Sequence, residues 1–287
     1  MKKVYHHYIS VTYQKNFADK DGKIWVLEED DRIYKTNPLN KFKEGHYNTV
    51  NGSLDIEESL SELESEYSKI IKNKINNKEP INTTDKLWLS IYTSTIFNRI
   101  RLNREQFRGF LNDIAESSKN FSVNNSDSYL PPASSGKGVS IDEIKEGLEN
   151  FNSHFANSSM NTSLYVANYL YNMHWKLLTA PKDKNFISSD NPAHICSPER
   201  EKKFGPNAIG ARAGFGHKDI EFTLPLTSNI VLYANWDLLT NNDIKYIDIT
   251  ERQFDNIIKR TVRSAKTVFG NNKEYLEFII KNTIKNN

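Results

Sequence analysis

The amino-acid sequence predicts an α+β fold, in which an N-terminal β-hairpin region joins a mixed or antiparallel sheet and a multi-helix layer packs against that sheet. Two observations support this prediction. Short alternating or apolar segments occur near the N-terminus and again in the last third of the chain, and between them apolar residues recur at helical spacing. Segregated runs of strands and helices are typical of α+β proteins. Because no change of composition divides the chain, we expect one domain over residues 1–287.

Residues 4–50 have the pattern of strands and turns. The stretch VYHHYISVTY alternates and is rich in aromatic and β-branched residues. Asp21-Gly22 precedes the apolar run IWVL, and Asp30-Asp31 separates that run from RIYK. Two such runs joined by a turn signal predict a β-hairpin. We therefore expect a small antiparallel β region at this end of the chain.

Residues 55–178 are expected to be mainly helical. A first amphipathic helix begins at Asp55, and a second, longer helix begins near residue 84. Residues 117–139 show no period and contain many Ser, Asn, Gly and Pro residues, which predicts a long loop. Two more helices are expected after this loop, and the second of them extends through Trp175.

Strand character returns in residues 185–247. The segments NFISSDNPAHI, DIEFTLPL and NIVLYANW are short apolar runs bounded by Pro, Gly and Asn. Two C-terminal helices are then expected within residues 250–284, the first opened by a Thr250-x-x-Gln253 box.

The charge balance and the cysteine count limit the classes of function. The 38 Lys and Arg residues nearly balance the 36 Asp and Glu residues, so any contact with nucleic acid or a nucleotide has to come from a local basic patch. The single cysteine, Cys196, excludes an internal disulfide and a multi-thiolate zinc site, and it suits a reducing cytoplasm. No segment approaches the roughly 20 apolar residues that span a bilayer, and no motif indicates a flavin, nicotinamide or haem cofactor. We therefore expect a cytoplasmic protein with no membrane partner.

The adjacent histidines His6 and His7 are the first candidate site residues. Neighbouring side chains on a strand point to opposite faces, so at most one of the two lines any given site. One imidazole could act as a metal ligand or general base. The alternative is that one histidine packs and donates to a carbonyl while the other faces solvent. The register of the strand decides between the two assignments.

Two further segments carry candidate groups. The segment FISSDNPA delivers Asp190 to the end of a strand-like run, where its carboxylate could be a metal ligand or a base. The alternative is an Asx turn, in which Asp190 accepts hydrogen bonds from the backbone of the following turn. On the second helix, Arg101, Arg104 and Arg108 share one face. They could contact phosphate, but the position of Glu105 favours a solvated, ion-paired face.

Several short motifs, taken in order, resemble an uncharacterised bacterial family, domain of unknown function 4238. They are HHYIS, DGKIWVLEEDDRIYKTNP, IEESLSELES, NRIRLN, FISSDNP and LPLTSN. The resemblance covers nearly the whole chain and implies one continuous domain, although this chain has Ser10 where members usually have proline. It implies no reaction but a set of candidate positions, which we expect to converge in one cleft: His6, His7, Tyr8, Glu64, Arg99, Ser189, Asp190, Asn191 and Pro192.

Two functions remain open at the level of sequence. The first is a metal-assisted phosphodiesterase or nuclease, by analogy a bacterial toxin or phage-defence effector. Its expected catalytic residues are His6, His7, Arg99 and Asp190. Its expected ligands for magnesium or manganese are His7, Glu64 and Asp190. Its expected substrate-binding residues are Tyr8, Arg101, Ser189 and Asn191. The second is a module that binds a nucleotide, nucleic acid or protein without turnover, in which the His and Asp residues form a structural polar network.

Overall fold

The computed structural model describes residues 5–45, 47, 55–124, 146, 148, 150–205, 214–237, 243–263 and 265–279. Within these ranges the chain forms eight α-helices and eleven β-strands, and the strands are arranged in three sheets. Strands and helices are segregated along the sequence, so the predicted α+β class is confirmed.

The N-terminal strand is shorter than the alternating sequence predicts. Strand β1 (Tyr5–His7) pairs antiparallel with β4 (Lys43–Gly45) in a two-stranded sheet. It is followed by a short helix α1 (Val11–Lys15), not by a continuing strand. The hydroxyl of Ser10 accepts a hydrogen bond from the backbone N–H of Tyr13 at 3.1 Å and so caps this helix. A side-chain cap of this kind stabilises the first helical turn, so the backbone is helical here although the sequence continues to alternate.

The predicted hairpin is present and joins later strands of the chain. Strands β2 (Ile24–Glu28) and β3 (Ile33–Thr36) pair antiparallel. Strand β2 also pairs with β11 (Thr267–Gly270), and β11 pairs with the two-residue strand β6 (Ser188–Ser189). The sheet therefore has the order β3-β2-β11-β6.

The remaining strands form a mixed five-stranded sheet with the order β10-β5-β9-β8-β7. Among the described strand pairs of this sheet, β10 and β5 are parallel and the others are antiparallel. The strands are β5 (His174–Thr179), β7 (His194–Cys196), β8 (Glu221–Pro225), β9 (Ile230–Asn235) and β10 (Lys245–Asp248). The sequence prediction missed β5, because helical spacing was extended through Trp175. The strand forms because six consecutive residues pair with β9, and the indole N–H of Trp175 donates to the carbonyl of Leu170.

The helices differ from the prediction in their ends and in their number, and the single long helix expected from near residue 84 is divided at Ile100. The segment predicted as a loop from residue 117 is helical as far as Asn124, and the predicted residues 125–139 lie outside the described part of the chain. From Phe151 onwards the two helices expected after the loop are a single one. The helices after α1 are α2 (Asp55–Ile70, continued by a π-turn Ile71–Ile75), α3 (Thr83–Arg99), α4 (Arg101–Asn124), α5 (Phe151–Asn172), α6 (Pro198–Phe204), α7 (Glu251–Arg263) and α8 (Lys273–Ile279).

Both faces of the five-stranded sheet are covered. Leu177 and Leu232 on one face pack in a cluster that contains residues of α2, α3 and α5. Leu178 and Val231, which follow or precede them by one residue and so face the other way, pack with α7 through Phe254. No helix in the described ranges is long and apolar enough to cross a lipid bilayer.

Candidate functional site

A polar cavity of about 200 Å³ lies where β1 meets α2 and the C-terminal end of α3. It contains four of the nine positions that the family resemblance implies, together with a second glutamate. The lining residues are Tyr5, His6, His7, Ser10, Val11, Glu57, Leu60, Ser61, Glu64 and Arg99. Imidazole, carboxylate and guanidinium groups thus meet at one cavity, as expected for these four positions.

The two histidines take opposite orientations on β1. His6 is only 3% exposed, and its Nδ1 lies 3.8 Å from Glu57 Oε1 on α2, so its imidazole faces the helix and the cavity. The Nε2–H of His7 donates to the carbonyl of Leu39 at 3.3 Å on the other side of the strand. Burial lowers the pKa of His7, which keeps its imidazole neutral at physiological pH. His6 is therefore the histidine whose side chain can serve the cavity, while His7 contributes its backbone.

Two glutamates reach the cavity from the same face of α2. Glu57 and Glu64 are seven residues apart, which is two helical turns. Glu64 accepts a hydrogen bond from the Thr12 hydroxyl at 3.1 Å. Burial raises the pKa of Glu64, so this carboxyl group keeps its proton to a higher pH than an exposed glutamate does. Glu57 is absent from the sequence prediction, and its spacing from Glu64 was the signal that could have identified it.

Arg99 ends α3 and brings a buried cation to the cavity. The residue is 7% exposed, and burial lowers the pKa of its guanidinium from the ordinary arginine value. Its Nη2 donates to the carbonyl of His7 at 3.3 Å, and its own carbonyl accepts from the hydroxyl of Tyr47 at 2.6 Å. Glu57 and Glu64 act on the guanidinium only through longer-range attraction, because among the described residues no carboxylate lies within salt-bridge distance of it.

The SDNP segment does not line this cavity, so the cavity does not gather all nine expected positions. Ser189, Asp190, Asn191 and Pro192 are not among the residues that line the cavity. Ser189 is fully buried in β6 and accepts a hydrogen bond from the N–H of Asn191. The separation follows from strand pairing, since β6 is bound to β11 whereas β1 is bound to β4.

Asp190 is tied to the backbone that precedes β11. Its N–H donates to the carbonyl of Thr267 at 2.9 Å, and its Oδ1 accepts from the N–H of Lys266 at 3.1 Å. Burial raises the pKa of Asp190 to about 6. The carboxylate therefore accepts a backbone hydrogen bond, as the Asx alternative expects, but from a segment far along the chain instead of the following turn.

Tyr8 interacts with Asp190 and Arg101 outside the cavity. Burial, assisted by the charge of Asp190, raises the pKa of Tyr8 to about 12. Arg101 lies beside Tyr8 and also pairs with Glu105 at 2.9 Å, as the four-residue spacing predicts. The prediction of a solvated face is wrong for Arg104, which is 8% exposed. Its guanidinium pairs with the carboxylate of Glu44 at 3.0 Å and lies over the ring of Tyr47. The expected substrate-binding residues Tyr8 and Arg101 thus lie outside the cavity.

Comparison with protein families identifies a family model that the chain matches. The model of the family "Protein of unknown function (DUF4238)" matches residues 5–274, which is nearly the entire chain. The chain belongs to the DUF4238 family. The match begins at β1 and ends in α8, so all the cavity residues and the SDNP segment lie inside it. No curated protein and no solved structure matches the chain.

The DUF4238 cavity does not supply the expected metal-ligand set. In the part of the chain that the structure describes, no group of three or more His, Cys, Asp or Glu side chains is arranged to hold a metal ion. The three expected ligands diverge because Asp190 binds the backbone before β11 and the imidazole of His7 binds a carbonyl outside the cavity, leaving only Glu64. Among the described residues, the three expected ligands are therefore not gathered at one site.

Proposed function

We propose that this DUF4238 protein is a hydrolase that acts on phosphodiesters at the cavity between β1, α2 and α3. In this proposal Arg99 binds the phosphoryl group, and His6 and Glu64 transfer protons. The observation that supports it best is the buried guanidinium of Arg99, which lines the cavity without a carboxylate at salt-bridge distance among the described residues.

A buried cation of this kind favours an anionic ligand. Removing a charge from water costs several kcal/mol unless an opposite charge or several hydrogen bonds compensate for it. The planar fork of arginine matches the oxygen spacing of phosphate and can donate two parallel hydrogen bonds to it. The cavity volume of about 200 Å³ is below the range of whole drug-sized ligands, so it suits one phosphodiester unit of a longer molecule.

The neighbouring side chains have complementary roles in proton transfer. Because burial raises the pKa of Glu64, its carboxyl group can hold a proton and give it to the leaving oxygen. His6 would take the proton of the attacking water, and the carboxylate of Glu57 at 3.8 Å would stabilise the resulting imidazolium. Water then adds to phosphorus as the bond to the leaving oxygen breaks. Arg99 would stabilise the charge that develops on the phosphoryl oxygens.

The second candidate function is binding without turnover. The observation that favours it is the position of Asp190, whose carboxylate and N–H are both engaged with residues 266 and 267 and are not presented to the cavity. In that case the same cavity would hold a phosphate-bearing end of a nucleotide, nucleic acid or modified protein.

Cleavage of labelled RNA and of single- and double-stranded DNA tests the proposal. Wild-type protein is compared with His6→Gln, Glu64→Gln and Arg99→Lys variants, each with magnesium, with manganese and with chelator. Glu62→Gln is the matched control, because Glu62 is exposed on α2 and does not line the cavity. We expect chelator-resistant cleavage that falls by about 10²–10⁴-fold in the His6 and Glu64 variants and is unchanged in the control.

The outcomes separate the two functions. Wild-type rates in all three cavity variants would exclude the cavity as the active centre. No cleavage of any substrate by the wild-type protein, combined with Arg99-dependent binding of a phosphate-terminated oligonucleotide, would favour the binding function. Cleavage that is abolished by chelator would show that a metal is required and would contradict the metal-free scheme.

A further inference from the structure

A second and larger cavity, of about 400 Å³, lies between α7 and the face of the five-stranded sheet that α7 covers. It shares none of the residues that line the β1–α2 cavity. The lining residues are Lys176, Leu178, Glu221, Tyr233, Ile247, Ile249, Gln253, Asn256, Ile257 and Arg260.

The register of the sheet brings these side chains to one face. Lys176 on β5 pairs with Tyr233 on β9, and Leu178, two residues further along β5, pairs with Ile247 on β10. Tyr233 in turn pairs with Thr223 on β8, so Glu221, two residues before it, has the same orientation. Helix α7 closes the cavity with four residues at helical spacing: Gln253, Asn256, Ile257 and Arg260.

The chemistry of the lining is that of a ligand site. Leu178, Ile247, Ile249 and Ile257 supply an apolar wall, while charged and hydroxyl groups gather at one end. Pockets for small molecules fall between about 300 and 1,000 Å³ and combine an apolar lining with a few placed polar groups. The rim reaches solvent, since Gln253 and Asn256 are exposed.

Among the described residues, one cation of this cavity has no ion-pair partner. Arg260 Nη2 binds Glu221 Oε2 at 2.6 Å, so these two groups satisfy each other. The Tyr233 hydroxyl lies beside the same carboxylate, and burial together with the charge of Glu221 raises its pKa. Lys176 contributes a second cation, and no carboxylate of the described residues lies within salt-bridge distance of its ammonium group.

We propose that this cavity binds a small molecule that has an apolar body and one carboxylate group. The apolar body would pack between α7 and strands β5 and β10, and the carboxylate would accept from Lys176. The Arg260–Glu221 pair would hold the polar end in a fixed geometry. Charge complementarity selects an anion, because the cavity has two cations against one carboxylate and that carboxylate is already paired.

Calorimetric titration of the full chain with octanoate tests this site, with octan-1-ol as a probe of equal chain length without charge and octylamine as one of opposite charge. We expect octanoate to bind with one-to-one stoichiometry, octan-1-ol to bind about tenfold more weakly, and octylamine to give no saturable heat.

Variants assign the binding to this cavity. Lys176→Gln should weaken octanoate binding about tenfold and leave octan-1-ol binding unchanged. Lys245→Gln is the matched control, because Lys245 pairs with Lys176 in the sheet but does not line the cavity. Asn256→Trp places a large ring at the exposed rim and should block both probes while the core stays intact. Absence of saturable octanoate binding, equal weakening by the two lysine substitutions, or full binding by Asn256→Trp would each overturn the proposal.

Discussion

The substitution Asp190→Asn should change the pH dependence of stability, because Asp190 is the carboxyl group with a pKa raised to about 6 by burial. Its ordinary value is 3.8. A group whose pKa is higher in the folded chain stabilises the fold fully below the unfolded value, and this contribution is lost as the pH rises through the folded value. Asparagine does not titrate, and its side-chain oxygen can still accept the N–H of Lys266 that Asp190 binds.

The size of the effect follows from the two pKa values. Relative to a side chain that stays protonated, the titration of Asp190 should lower the free energy of unfolding by about 1 kcal/mol near pH 4.5, where the group ionises mainly in the unfolded chain, and by about 3 kcal/mol near pH 7.5. The free energy of unfolding of wild type, minus that of Asp190→Asn, should therefore fall by about 2 kcal/mol across this range. Other titrating groups are common to both proteins and cancel in the difference.

Urea denaturation of both proteins at several pH values between these limits measures the difference. Asp113→Asn is the matched control, because Asp113 is exposed on α4 and water surrounds its carboxylate in the folded and unfolded chains alike. A difference for Asp190→Asn that stays constant with pH to within about 0.5 kcal/mol would refute the reasoning, since burial of the carboxylate would then have no energetic consequence.

Three further predictions concern buried polar groups. Ser10→Ala should lower the free energy of unfolding by about 1–2 kcal/mol in urea titrations, because the hydroxyl caps α1 and forms a hydrogen bond with the Tyr92 hydroxyl at 2.8 Å. Ser10→Thr keeps a hydroxyl group and should retain most of that stability. Tyr13→Phe should lower the free energy of unfolding by about 1–3 kcal/mol, measured by thermal or urea unfolding. The reason is that the buried carbonyl of Pro225 loses the 2.7 Å hydrogen bond from the phenol. An unchanged free energy of unfolding would mean that water replaces this hydrogen bond. The thiol of Cys196, whose pKa burial raises to about 12, should react with Ellman's reagent only after denaturation, and rapid reaction of the native protein at neutral pH would contradict this.

The parts of the fold that depend on local chemistry could be predicted from sequence. The β2–β3 hairpin is one of them, because turn residues and apolar runs lie next to each other in the chain. Strand β5 could not be predicted in the same way. Its backbone is extended because β9, more than fifty residues later, supplies the hydrogen bonds, and the segment before it continues a helical pattern. Helix α1 was not predicted for a different reason. Its residues alternate as in a strand, and the helical turn depends on the cap that the hydroxyl of Ser10 provides.

The candidate site was predictable to a similar degree. His6, Glu64 and Arg99, which the sequence grouped as candidates, line one cavity. The orientation of the two histidines followed from strand alternation once the register was fixed. Glu57 was missed although its spacing from Glu64 was visible in the sequence. The placement of Asp190 was not accessible, because it depends on backbone groups of residues 266 and 267 that only tertiary structure brings near.

Strand β11 occupies an inner position in its sheet, between β2 and β6, although it is formed by residues 267–270. One edge of β2 pairs with β3, and the other edge therefore stays unpaired during synthesis until residues 267–270 have left the ribosome, near the end of the region that the family model matches. An open strand edge is a template for pairing with other chains, and such a late closure makes folding dependent on contacts of high sequence separation. Nascent chains that stop before residue 267 should hence require chaperones to remain monomeric.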